Sequence, residues 1–165
     1  MKVEFNQLPD NARVWIYAAA EPLNQAQQQH IAEAANTFTE NWTAHQMPLR
    51  ASFKIINDLF LVFGVDIAHH EVSGCGIDKS VQLVQNWEKE LSIDLFNRLQ
   101  LEYLHQNQLQ ISTKAKITEL LANGTITLET PFYNKTVLTI ADLKNNFIIP
   151  LKNSWVYPQI AKQLA

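Results

Sequence analysis

Between Asp66 and Ser80 the chain gathers side chains that could do chemistry: Asp66, His69, His70, Glu71, Cys75, Asp78, Lys79 and Ser80. Three of the four glycines, Gly64, Gly74 and Gly76, lie in or just before this stretch, as does the only cysteine. An apolar run from Leu59 to Val65 leads into it. A strand that delivers a glycine-flanked loop to a helix N-terminus exposes free backbone N–H groups, which hold anions and lower the pKa of thiols. Two chemistries follow. Cys75 could act as a nucleophile with His69 or His70 as its base. Alternatively, Gly74, Gly76, Lys79 and Ser80, with Arg13 from the start of the first strand, could cradle an anion.

The segment Ser73-Gly74-Cys75-Gly76-Ile77-Asp78-Lys79-Ser80 aligns with the phosphate-binding loop G-x-x-x-x-G-K-[ST] only at its last two residues. Ser73 and Asp78 stand where that loop has glycines, and Asp78 puts a side chain and a negative charge where backbone must approach phosphate. In the plainer reading, Asp78 complements the helix dipole and Lys79 is solvated. Cys75 likewise has a packing role open to it, as a small residue wedged between two glycines. His69, His70 and Glu71 are metal-ligand types, but adjacent side chains in an extended run point to opposite sides. No C-x-x-C or H-x-x-x-H spacing supports them, so no metal and no cofactor are expected.

Composition narrows the classes of function. The 165 residues carry 13 Lys and Arg against 16 Asp and Glu, and 47% are apolar, which suits one globular core and gives no basic footprint for nucleic acid. No apolar run approaches the ~20 residues of a membrane helix and no signal pattern opens the chain, so membrane insertion is not expected and the expected location is the cytoplasm. A lone cysteine permits no internal disulfide. Trp15, Trp42, Trp87 and Trp155 are expected to anchor the core, because a stacking platform for bases would need basic neighbours.

These residues must be positioned by regular elements. Arg13 to Tyr17 reads as a strand rich in β-formers. Asn24 with Gln27 forms a capping box before a helix whose apolar stripe is Ile31, Ala34, Ala35, Phe38 and Trp42. Leu49 to Ile56 and Leu59 to Ile67 read as a hairpin turning at Asn57-Asp58. A second helix from Gly76 to Leu91, with Ile77, Val81, Val84 and Trp87 inward, and a strand from Leu99 to Tyr103 complete the order. This is the split βαβ pattern of a ferredoxin-like α+β core, with two helices on one face of an antiparallel sheet. The expected division is 1–112 for that core and 113–165 for a small C-terminal helix-strand unit.

The segments Arg13 to Tyr17, Phe38 to His45, Ser73 to Val81 and Asp94 to Leu99 resemble a family of short uncharacterised proteins from Bacteroidota, often labelled "ABC transporter ATPase". The resemblance covers most of the chain and implies nucleotide binding at residues 73–80. A weaker similarity joins Ile117 to Ile126 to the opening of small GYF-related domains, without their aromatic signature. The residues themselves point first to a small-ligand or protein-interaction module that is not an enzyme, its partner a small anion or a protein. A small enzyme using Cys75 as a reactive thiol, and nucleotide binding at 73–80, are the alternatives, and a homodimer is left open.

Overall fold

A computed structural model describes residues 1–68 and 72–165; His69, His70 and Glu71 lie outside the described residues. In chain order the elements are β1 (Arg13–Ala18), α1 (Gln25–Asn41), β2 (Thr43–Ala44), β3 (Met47–Pro48), β4 (Ala51–Ile56), β5 (Phe60–Val65) and α2 (Gly74–Leu91). They continue with β6 (Leu101–His105), β7 (Gln108–Ser112), α3 (Lys114–Ala122), β8 (Pro131–Tyr133), α4 (Ile140–Asn146), β9 (Ile148–Pro150) and α5 (Tyr157–Leu164). The fold is mixed α+β with antiparallel sheets, and it divides into two compact units. The first comprises Met1–Phe96 with Thr136–Lys144, and the second Asn97–Lys135 with Asn145–Ala165.

In the first unit β5 lies between β1 and β4 and is antiparallel to both, so β1 and β4 are parallel with β5 inserted between them. Every residue of β5 is buried. Its Phe63 explains how the helices are placed. The ring lies 4.9 Å from Phe53, 6.0 Å from Phe38, 6.0 Å from Trp42, 6.1 Å from Trp87 and 6.4 Å from Tyr17 between centroids. Phe38 belongs to α1 and Trp87 to α2, so both helices cover the face that Phe63 presents, as the single apolar stripe of each helix requires. On the opposite face Gly64 leaves room for Leu8, Phe5 and Ile140; a Cβ built there would come within 2.5 Å of Leu8 Cδ1.

Local rules account for much of this unit. Asn24 Oδ1 accepts from Gln27 N and Gln27 Oε1 accepts from Asn24 N, both at 2.9 Å, closing the capping box that starts α1. The β4–β5 hairpin turns through Asn57 and Asp58 with φ of 53° and 55°, the two positive values that a tight turn between twisted strands demands. His45 and Gln46 turn the short β2–β3 hairpin in the same way, where the sequence suggests only the end of α1. The buried stripe of α2 is Gly76, Ser80, Val84 and Trp87, one residue out of phase at its start from the expected Ile77 and Val81.

The expected fourth strand is where the architecture departs from the split βαβ reading. The segment 101–105 does not pair with β1; it forms a hairpin with β7 and bridges β8, in a separate four-stranded sheet ordered β7-β6-β8-β9. A hairpin turned at Gln106 and Asn107, again with both φ positive, is a local partner that closes at far lower entropic cost than a return to β1. The place beside β1 is taken by a later segment, with Val14 N donating to Leu138 O and Arg13 bridging Thr139. For the same reason the units separate after Phe96 instead of at residue 112, and 136–144 returns to the first unit.

The second unit buries Leu101, Tyr103, Ile117, Phe132, Leu151 and Ile160 around its sheet and helices. Trp155, expected as an anchor, is 44% exposed, because Leu151, Val156 and Ile160 occupy the inward positions of that segment.

Two buried indoles allow a paired test. Trp42 Nε1 donates to the Gly76 carbonyl at 3.0 Å, whereas Trp87 Nε1 is buried with no hydrogen-bond partner among the described residues. Trp42→Ala is expected to cost about 3–5 kcal/mol. Trp42→Phe should cost about 1 kcal/mol more than Trp87→Phe, since only the former discards a made hydrogen bond. Urea denaturation midpoints of the variants check this ordering.

Candidate functional site

The α2 N-terminus is built by Ser73, whose hydroxyl accepts from Gly76 N at 3.3 Å while its carbonyl accepts from Gly76 N and Ile77 N. Gly76 is buried, and the indole of Trp42 at the end of α1 donates to its carbonyl. A Cβ at Gly76 would meet Val72 Cγ1 at 3.1 Å and Trp42 Nε1 at 3.6 Å, so this glycine allows the two helices to approach. It is there for packing as much as for an exposed N–H. Gly74 and Cys75 are exposed, and a Cβ at Gly74 would meet nothing within 4 Å. Cys75 is therefore on the surface, not wedged between packing glycines.

The remaining residues of the proposed cradle diverge. Ser80 is buried and its hydroxyl donates to Ile77 O at 2.7 Å, which turns it into the helix instead of toward an anion. Asp78 and Lys79 are exposed. Arg13 stands opposite Val65, at the end of β5 that leads to Asp66, as the topology requires, but its guanidinium lies over the nearby Trp15, 5.1 Å from the ring centroid.

Asp66 is nine-tenths buried and fixes the chain just after β5: Arg50 Nη1 donates to Oδ2 at 3.3 Å and Ala68 N to Oδ1 at 3.0 Å. Arg50 Nη2 also donates to the Gln7 carbonyl. Asp10, three residues before Arg13, pairs with Lys144 at 2.6 Å. His45 is exposed in the β2–β3 turn, and His105 closes β6 in the second unit. The two histidines named as bases for Cys75 fall outside the described residues, and among the described residues no group of His, Cys, Asp and Glu is arranged to hold a metal ion. No described helix is long and apolar enough to cross a membrane.

One polar cluster escapes a reading of the sequence. Glu102, on β6, is fully buried, and its Oε1 accepts from Lys135 Nζ and from Gln100 Nε2, both at 2.8 Å. Lys135 Nζ donates also to the Gln100 carbonyl at 2.8 Å. The alternation of Leu99 to Tyr103 marks Glu102 only as a residue on the other side of the strand from its apolar neighbours. Its cation lies 33 residues away in the sequence, so no local pattern signals the pair. Burial pushes the Glu102 carboxyl above its ordinary value, with Lys135 acting in the opposite direction and offsetting part of the rise.

Comparison with known proteins finds no family model, no curated protein and no solved structure that matches the chain.

Two predictions come from these groups. A carboxyl whose folded pKa lies above its unfolded value of about 4.3 binds its proton more tightly when folded, so its contribution to stability falls as pH rises from about 4.3 through the raised value. Glu102→Gln should flatten that part of the pH profile, and Lys135→Ala at neutral pH should cost about 3–5 kcal/mol by leaving a buried carboxylate unpaired; urea titrations between pH 4 and 8 read both. Iodoacetamide should label Cys75 in the folded chain without denaturant, because the residue is exposed; labelling that requires unfolding would contradict its placement.

Proposed function

We propose that the chain is a protein-interaction module that takes up an extended polypeptide segment on the open edge of β4. The observation that carries this reading is the stretch of β4 edge beyond Ala51, whose outward main-chain groups are unpaired among the described residues and lie beside a groove. The β1 edge is covered at Arg13 and Val14 by Leu138 and Thr139. Among the described residues the β4 edge is covered only at Ala51, whose N–H donates to Met1 O and whose carbonyl accepts from Val3 N, in a parallel bridge centred on Lys2. Beyond Ala51 the strand runs on to Ile56 with a groove beside it, lined by Gln25, Gln28, Ala32 and Asn36 of α1 and by Phe53 and Ile55. An uncovered edge with free main-chain groups is the surface on which strand addition occurs. In this reading the first unit is a ferredoxin-like core reduced to three paired strands.

The alternatives draw less support from the described groups. A nucleotide site at 73–80 would need the Ser80 hydroxyl that Ile77 O already engages, and Asp78 supplies an exposed negative charge beside it. A thiol enzyme would rest on exposed Cys75 with a base from His69 or His70.

Strand addition has a signature that other binding modes lack. A terminally blocked Thr-Val-Thr-Val-Thr peptide should shift the backbone amide resonances of Phe53 and Ile55, and N-methylation of its edge-facing amides should abolish the effect. Shifts elsewhere only, or shifts indifferent to N-methylation, would overturn the reading.

A further inference from the structure

Main-chain groups of a strand alternate between its two neighbours. Ala51 directs its N–H and carbonyl away from β5, toward Met1 and Val3, so Phe53 and Ile55 direct theirs the same way. Among the described residues nothing meets the outward N–H and carbonyl of either residue. The N-terminal segment that could have continued along them leaves the edge after Val3, turning into a 3-10 helix at Phe5–Gln7. Two consecutive pairing positions remain, enough for a segment of about five residues.

Lys54 lies between those positions. Its side chain projects to the face opposite Phe53, where its ammonium stands 5.9 Å from the Phe5 ring centroid, and it is exposed. Among the described residues it makes no ion pair. In any strand added to Phe53 and Ile55, one side chain must lie directly across from Lys54. In a two-fold pairing of β4 with β4 of a second copy, centred on this position, that side chain is Lys54 itself, and like charges directly opposite are destabilising.

Resting on the reading that the β4 edge takes up a strand, we propose that its occupant is an extended segment of a different protein bearing a carboxylate across from Lys54. The residues on either side of that carboxylate face the groove along α1, where Gln28, Gln29 and Asn36 offer amides and Ala32 leaves space. Small or amide-bearing side chains fit there.

The probes are three blocked pentapeptides, Thr-Val-Glu-Val-Thr, Thr-Val-Thr-Val-Thr and Thr-Val-Lys-Val-Thr, titrated into the full chain and followed by the amide resonances of Phe53 and Ile55. The glutamate peptide should bind about fivefold more tightly than the lysine peptide, and Lys54→Glu, an exposed substitution, should invert the order. Equal affinities in both proteins would overturn the charge assignment while leaving strand addition intact. No saturable shift with any peptide would overturn strand addition itself, and the charge assignment with it. Concentration-dependent self-association of the full chain that perturbs the Phe53 and Ile55 amides would also overturn the proposal, by making a second copy the occupant.

Discussion

The Phe63 ring determines the geometry of the first unit. It belongs to a fully buried strand and touches rings from β1, β4, α1 and α2, with Trp87 of α2 stacked on it and Trp42 meeting it edge-on from the end of α1. A large ring at the centre of a sheet accepts such neighbours only if β5 is the middle strand and both helices lie over the same face. The strand edges of the first unit follow from that placement. With β5 in the middle, β1 and β4 must be edges, and each edge must be covered, paired or left open. Trp42 then ties the end of α1 to the first turn of α2 through the Gly76 carbonyl, which sets where Cys75 emerges.

What the sequence made legible was local. The capping box of Asn24 and Gln27, the turn residues Asn57 and Asp58, and the continuous apolar run of β5 each act within a few residues, and each appears in the structure as the pattern predicts. The order β1, α1, β4, β5, α2 followed from them, and so did the burial of Trp42 and Val84. The pairing of 101–105 was not legible, because the alternation of Leu99 to Tyr103 is equally suited to any sheet. The turn at Gln106 and Asn107 decides which one it joins. Nor could the sequence show that residues 136–139 return to cover β1, since that contact spans more than a hundred residues.

The candidate site was legible in composition and not in use. A helix does begin near Gly74, and Cys75 is exposed on it, but Ser80 and Gly76 serve the helix and its contact with α1. Asp66 serves to fix the chain just after β5 through Arg50 and Ala68. Ionisable and hydroxyl side chains near a helix start look alike in sequence whether they bind a ligand or one another. Only their partners separate the two cases. The surface that stands out instead, the β4 edge, carries no motif at all, because it is made of main-chain groups that every residue possesses.

Amide hydrogen exchange read residue by residue along β4 tests most directly whether that edge is open in the free chain. Open-edge geometry predicts a period of two: slow exchange at Ser52, Lys54 and Ile56, whose N–H groups face β5, and fast exchange at Phe53 and Ile55. Protection at Phe53 and Ile55 equal to that of their neighbours would mean the edge is already paired, and would contradict the account.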